Sequence, residues 1–285
     1  MVAQQATGPA DAERLPTVEP RAPDTSADDK QVAPAPPAPS FAGSLQRDVS
    51  SRYTDVPLLI CSFVSGLCDS VTVNGSNVFV SMQTGNTIFL ALGTSGLPDD
   101  EPGLWLRSLV SIASFALGCF CFSNTRHLKP KRKLTLSLSF FVQSLAILIA
   151  AILTQVNVVK QFDSIDAARS SNSFIVLLPI GFLAWQFGGQ ISSSRMLGYG
   201  EVPTCVLTSV YCDLVSDPKL FAPLWENPKR NRRFLAVVTL LVGGIAGGWI
   251  QHTHRGMITV LWIAFAIKFG LAVLWALWKG DDGRK

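Results

Sequence analysis

The chain has 285 residues, 48% of them hydrophobic and only 15% charged, with a formal net charge of +4. A soluble domain carries about 25% charged residues, so this composition argues against a water-soluble globular enzyme. Residues 1–55 hold eight acidic and five basic side chains, for −3, and the remainder holds 19 basic and 12 acidic, for +7. The positive excess sits in two loops rather than along one face, which argues against a nucleic-acid partner.

Residues 1–55 read as a disordered, Pro/Ala-rich cytoplasmic tail. Eight prolines fall within residues 1–40, and few large apolar groups offset the chain entropy of folding. Pro34/Pro37 and Pro36/Pro39 form overlapping P-x-x-P frames, a docking pattern for a partner domain. Thr25, Ser26 and Ser40 are available hydroxyls for phosphorylation. The tail has no apolar signal-peptide core, so the first hydrophobic span is expected to act as the membrane signal.

A helical membrane domain is expected over 56–278, followed by a short cytoplasmic tail at 279–285. A bilayer core of about 30 Å takes roughly 20 apolar helical residues. Six stretches meet that requirement: 57–75, 104–125, 134–157, 173–194, 234–252 and 257–278. Two further apolar stretches, 77–97 and 202–216, are interrupted by polar residues or short. Basic loops mark the cytoplasmic side. One carries Arg126, Lys129, Lys131, Arg132 and Lys133; the other carries Lys219, Lys229, Arg230, Arg232 and Arg233. Both fall on one side only if 77–97 and 202–216 make no net crossing. The acidic loop with Asp99, Asp100 and Glu101 then lies outside, and both termini lie inside. The expected fold is therefore all-α, with about six transmembrane helices and two re-entrant segments. Trp105, Trp275 and Trp278 stand near span ends as interface anchors.

The two halves, about 56–157 and 173–278, resemble each other. Residues 79–92 align with 203–216, placing Thr84 over Thr208, and 117–127 align with 245–255, placing Thr125 over Thr253. Three net crossings per half make the repeat inverted, an arrangement characteristic of secondary transporters with mid-membrane sites.

Several polar residues inside these spans are candidate substrate or ion ligands. Asp69 lies within the first span, where a charge costs about 2.5–3.5 kcal/mol on insertion scales; it either pairs with a cation or binds a proton or cationic substrate. Gln83, Thr84, Gly85 and Asn86 break an apolar stretch, exposing backbone groups that Thr84 and Asn86 either cap or supplement. Gln186 and Gln190 share a helix face at i, i+4 spacing, suited to interhelical hydrogen bonds or to substrate. Pro179 is expected to kink their helix. Arg195 stands at its cytoplasmic end, and Thr208 occupies the place of Thr84 in the second half. Lys268 lies midway through the last span, too deep to snorkel; it either forms a salt bridge to Asp69 or Asp213 or serves as an anion site. Gly243, Gly244, Gly247 and Gly248 form two G-x-x-x-G frames, a helix-packing signal that also suits a homo-oligomer. His252 and His254 lack a third ligand. Ser-His-Asp, H-E-x-x-H and G-x-S-x-G patterns are absent, so no catalytic set, metal or cofactor is expected. Asn74-Gly75-Ser76 is a glycosylation sequon too close to the membrane for use.

The pattern F-V-S-G-L-C-D-S-V at 63–71 followed by F-V-S-M-Q-T-G-N-T-I-F-L at 79–90 resembles the YoaK-like family of uncharacterised membrane proteins. Asp69, Phe79, Thr84, Gly85 and Asn86 match the family's Asp and F-V-x-x-x-T-G-N pattern. The region of Gln190, Arg195, Gly198 and Thr208 is similar more loosely. The resemblance spans roughly 55–278 and implies about six membrane helices, with no assigned activity. The N-terminal tail lies outside it and looks like an extension of fungal members.

Two readings of function follow. One is a small-molecule or ion transporter working by alternating access around a mid-membrane polar site, in the plasma membrane or an endomembrane. The other is a non-transporting scaffold or assembly factor that docks partners through its tail and basic loops. An intramembrane enzyme is a weaker third reading.

Overall fold

The computed structural model describes residues 41–101, 103–156 and 174–281. The P-x-x-P frames, the three candidate phosphorylation sites, the junction between the halves and residues 282–285 lie outside the described residues.

The described residues are helical without a strand. In chain order the helices are α1 (Phe41–Leu45), α2 (Asp55–Ser76), α3 (Gln83–Gly93), α4 (Leu104–Ser123), α5 (Lys133–Gln155), α6 (Leu177–Leu197), α7 (Thr208–Val215), α8 (Pro228–Gln251) and α9 (Gly256–Leu277). Helices α2, α4, α5, α8 and α9 are long and apolar enough to cross a membrane. Helix α6 has 21 residues, and Gln186, Gln190 and three consecutive serines reduce its hydropathy. It crosses in the shelter of its neighbours: it packs on α4 and α5, and its glutamines are buried.

Close contacts define the helix directions. Gly243 of α8 meets Phe63 of α2, and Gly247 meets Leu67 and Ser70, so these helices run parallel. Ser114, Gly118 and Phe122 of α4 meet Gly181, Trp185 and Gly189 of α6, again in parallel. Ser137 of α5 bonds to the Ala272 carbonyl of α9 at 2.8 Å, whereas Gln155 bonds to Trp262 at 2.8 Å, an antiparallel pair. Both basic loops lie on the side where α2 begins and α9 ends. Val49 N donates to the Lys131 carbonyl at 2.8 Å, Ser50 N to that of Lys279 at 2.9 Å, and Arg232 pairs with Asp55 at 2.9 Å. The acidic loop is at the far end, where Glu101 accepts from Asn77 and Arg107. Single cysteines replacing Asp100 and Arg132 in a cysteine-free background should therefore react with impermeant maleimide from opposite sides. Labelling from one side would refute six crossings.

Between α2 and α3 the chain turns back into the bundle. Asn77 ends α2 in the left-handed conformation (φ 55°), which Asn tolerates better than most residues. Residues 78–82 then descend as far as Asp69, and α3 returns to the acidic side, where Gly93 abuts Trp105. The second half repeats this from the basic side. Gly198 ends α6 at φ 89°, residues 202–207 rise to Ser65 and Gln190, and α7 returns toward Asp217 and Arg233.

The two halves share details of packing. A side chain at Gly66 would strike the carbonyl of Leu240 and the backbone of Gly243 and Gly244; one at Gly188 would strike the corresponding atoms of Phe115, Gly118 and Cys119. Gly243 abuts the backbone of Phe63 as Gly118 abuts that of Trp185. The structure thus pairs Gly118 with Gly243, whereas the sequence alignment set it over Ala246. The alignment followed a Thr match at the helix ends, while the packed register follows the small residues that let backbones approach.

Other expectations require correction. Residues 41–54, read as tail, include α1 and an extended stretch held by Lys131 and Lys279, with Val49 buried as an anchor. Backbone pairing with loop edges leaves no hydropathy signal. Pro179 falls in the first turn of α6, where an N–H would lack an intrahelical acceptor anyway, so the proline removes no bond that would bend the helix. Helix α8 begins at Pro228 rather than 234: Asn227 caps it by accepting from Arg230 N at 3.0 Å, with proline at the first position. Trp275 is fully buried, tilted against Phe140 and Trp278, instead of facing an interface.

Beside the basic-side end of α8, hydrogen bonds from Lys219 N and Asn227, with Arg233 alongside, hold the Asp217 carboxyl below the usual carboxylate range. The outward faces of α4, α5, α8 and α9 carry Phe120, Leu138, Ile245, Trp249 and Phe269 in the open, a larger apolar display than a soluble monomer tolerates.

Candidate functional site

The tips of the two re-entrant segments reach the same helix one turn apart. From the acidic side, Val80 N and Ser81 N each donate to Asp69 Oδ1 at 2.9 Å, and Ser81 Oγ donates to Oδ2 at 2.5 Å. From the basic side, the Thr204 carbonyl accepts from Ser65 Oγ at 2.8 Å. Helices must expose backbone groups where they break, and within a bilayer those groups need protein partners. Asp69 supplies two acceptor atoms at that point, which explains a carboxylate that is only 5% exposed.

The T-G-N segment is organised mainly for its own closure. Asn86 Oδ1 accepts from Phe79 N at 3.0 Å, while Nδ2 donates to the Phe79 carbonyl at 2.7 Å and to Gln83 Oε1 at 2.8 Å. Ser111 of α4 also bonds to the Phe79 carbonyl at 2.7 Å. Asn86 and Gln83 thereby fold the extended stretch onto the first turn of α3. Gly85 admits the Phe79 ring, which would sit 3.0 Å from an added side-chain carbon. Thr84 and Thr208 are exposed on their half-helices, outside this buried layer. Arg195 is also exposed, in the last turn of α6.

Across the bundle, Gln190 joins three helices. Its Nε2 donates to Ser65 Oγ at 2.9 Å and to the Cys61 carbonyl at 3.3 Å, and its Oε1 accepts from Lys268 Nζ. Lys268 has no exposed surface and lies about 18 Å from the start of α9 and about 14 Å from its end at helical rise. The rings of Phe140 and Phe187 lie 5.2 and 6.0 Å from its ammonium, close enough for cation–π attraction. The expected salt bridge to Asp69 or Asp213 is absent. Asp69 is bonded to the re-entrant tip, and Asp213 is exposed on α7, 3.8 Å from Arg233. One turn from Gln190, Gln186 is fully buried with neither amide atom hydrogen-bonded, and Gln143 Oε1 on α5 is likewise unpartnered. Burying an amide without partners costs about 1–3 kcal/mol, so this layer holds unused hydrogen-bonding capacity around a buried cation.

Beneath the second re-entrant tip lies a polar vestibule of about 590 Å³, lined by Thr54, Tyr199, Glu201, Lys229 and Arg232 among others. Arg232 spans it, pairing with Asp55 at 2.9 Å and Glu201 at 3.0 Å while lying over the Tyr199 ring. Tyr199 and Thr54 hydroxyls meet at 2.5 Å.

Sequence reasoning missed Ser65, Ser81 and Ser111, which carry the contacts between segments. Ser65 and Ser81 lie inside the two motif stretches, but a serine in an apolar run does not reveal its partner. The glycine frames also divide. Gly243 and Gly247 are consumed against α2, the Gly244 backbone lies against Gly66 although an added side-chain carbon there would meet only the Gly66 carbonyl at 3.9 Å, and Gly248 has open space beside it. Three of the four glycines of the proposed oligomer face thus lie against α2 within the bundle.

A protein-family profile described as "Protein of unknown function (DUF1275)" matches residues 57–274. No curated protein and no solved structure matches the chain.

Proposed function

The chain belongs to the DUF1275 family, and from that premise we propose that this multi-pass membrane protein is a transporter working by alternating access. The observation that carries the reading is the convergence of two opposed re-entrant tips on Ser65 and Asp69 of one helix. Inverted halves with broken helices meeting mid-membrane are the architecture on which rocking transporters are built. Asp69 holds the tip from the acidic side, and Lys268 with Gln190 presents a cation and an amide beside the other tip. Unpartnered Gln186 and Gln143 add hydrogen-bonding groups for a solute. Among the described residues no carboxylate pairs with the buried Lys268 ammonium, which favours a substrate that carries negative charge or strong acceptors. The Arg232–Asp55–Glu201 cluster closes the vestibule on the basic side and would separate when that side opens.

The test is uptake into liposomes across a panel of labelled inorganic anions, carboxylates and neutral metabolites. At least one solute should accumulate above protein-free liposomes, and Lys268→Gln should reduce that uptake at least tenfold while leaving the thermal midpoint within a few degrees of wild type. Wild-type uptake by Lys268→Gln would remove Lys268 from the site. Deleting residues 1–40 separates the scaffold reading. On the transporter reading uptake persists without the tail; a cellular phenotype lost upon that deletion, with uptake intact, would favour the scaffold.

A further inference from the structure

On the lipid-facing side of the bundle, near the basic loops, α4, α5 and α6 enclose an apolar groove of about 440 Å³. Phe122, Leu134, Leu138, Val142 and Trp185 form its walls. Among the described residues, Arg132 is the one charged residue that lines it. The Arg132 Nε is shielded from solvent without a hydrogen-bond acceptor, and among the described residues its guanidinium forms no ion pair. A second groove of about 460 Å³ runs along α4 and α6 and shares Trp185, but among the described residues it has no charged lining residue. The first groove therefore combines an apolar slot with an unanswered cation at one end.

A buried donor on a charged group is costly unless an acceptor reaches it. The acceptor must be anionic to match Arg132, and the rest of the ligand must be apolar to fill the slot. We propose that this groove binds an anionic phospholipid of the basic-side leaflet, with one acyl chain against Leu138 and Trp185 and the phosphate at Arg132. The neighbouring Arg126, Lys129 and Lys131 lie in the same loop and favour a net negative headgroup over a zwitterionic one. Basic pockets between membrane helices on the cytoplasmic side recognise lipid headgroups in this way.

Native mass spectrometry of the full chain in detergent, with equimolar phosphatidylserine and phosphatidylcholine, tests the proposal. Phosphatidylserine should be retained about fivefold more, equivalent to roughly 1 kcal/mol for one basic residue near the headgroup. Arg132→Ala should lower the ratio at least twofold, the rest being held by the neighbouring loop cations, and Arg132→Lys should restore most of it. Leu138→Trp, which fills the slot, should lower retention of both lipids. An unchanged preference in Arg132→Ala, or undiminished retention in Leu138→Trp, would overturn the proposal. So would uptake of phosphatidylserine only after residues 1–40 are deleted, because the groove would then belong to the tail.

Discussion

Asp69→Ala is expected to abolish the folded membrane domain or lower its thermal midpoint sharply. Asp69 accepts from Val80 N, Ser81 N and Ser81 Oγ, and alanine would strand all three donors in the bundle. At about 1–3 kcal/mol for each buried unsatisfied group, the loss approaches a large share of a typical stability of about 5–15 kcal/mol. Asp69→Asn has a different expectation. Its carbonyl oxygen still accepts from Val80 and Ser81, and its amide meets Ser81 Oγ, a hydroxyl that also accepts. The asparagine variant should therefore fold while losing the negative charge. Heating each variant in detergent and following its monodisperse peak by size-exclusion chromatography gives the stability. Uptake by the folded Asn variant then reports whether charge matters to transport. An alanine variant as stable as wild type would show that Asp69 does not hold the re-entrant tip.

The glycine positions should separate by a similar margin. A methyl group at Gly243 would overlap the backbone of Phe63, and one at Gly118 would overlap that of Trp185. These obstacles are backbone atoms and cannot rotate aside, so α2–α8 or α4–α6 must part along their length. Overpacking of this kind costs about 1–3 kcal/mol or more. Gly243→Ala and Gly118→Ala should each lower the thermal midpoint by several degrees. Gly248→Ala meets nothing within 4 Å and should be neutral, or stabilising by up to about 1 kcal/mol from helix propensity. Equal midpoints for Gly243→Ala and Gly248→Ala would contradict the packing register. The paired response of Gly118 and Gly243 also tests the inverted repeat, because the two glycines occupy equivalent places in the two halves.

The fold was more legible in the sequence than the site. Span lengths are a property of local hydropathy, and loop charge has a side of the membrane built into it; together they require two segments without net crossing. Helix α6 shows where this fails. Its glutamines and serines depress its hydropathy, and only burial between α4, α5 and α2 accounts for them. Candidate residues were legible as anomalies, since Asp69, Lys268 and Gln190 are polar in apolar surroundings. Their partners were not. Lys268 and Asp69 invited pairing as opposite charges, yet one bonds to Gln190, 78 residues away, and the other to a backbone turn 11 and 12 residues on. Thr84 and Thr208 looked equivalent to Asn86 as ligands, but the side of a half-helix that faces inward depends on where its neighbour stands, α4 for α3 and α8 for α7.

By itself, the sequence determined that the chain enters a bilayer, that its basic loops share one side, and that two segments break where helices would otherwise continue. Each of these follows from the partition of residues between water and hydrocarbon, which is local. The tertiary structure alone decided that the two breaks meet on one turn of α2, that Asp69 latches one of them, and that Gln190 ties Lys268 to Ser65 across a separation of 125 residues. It also decided which glycines are spent inside the bundle and which groove ends on Arg132. Those outcomes depend on helix register and on which buried donors find acceptors, and hydrogen bonds and close packing act between residues that chain order does not bring together.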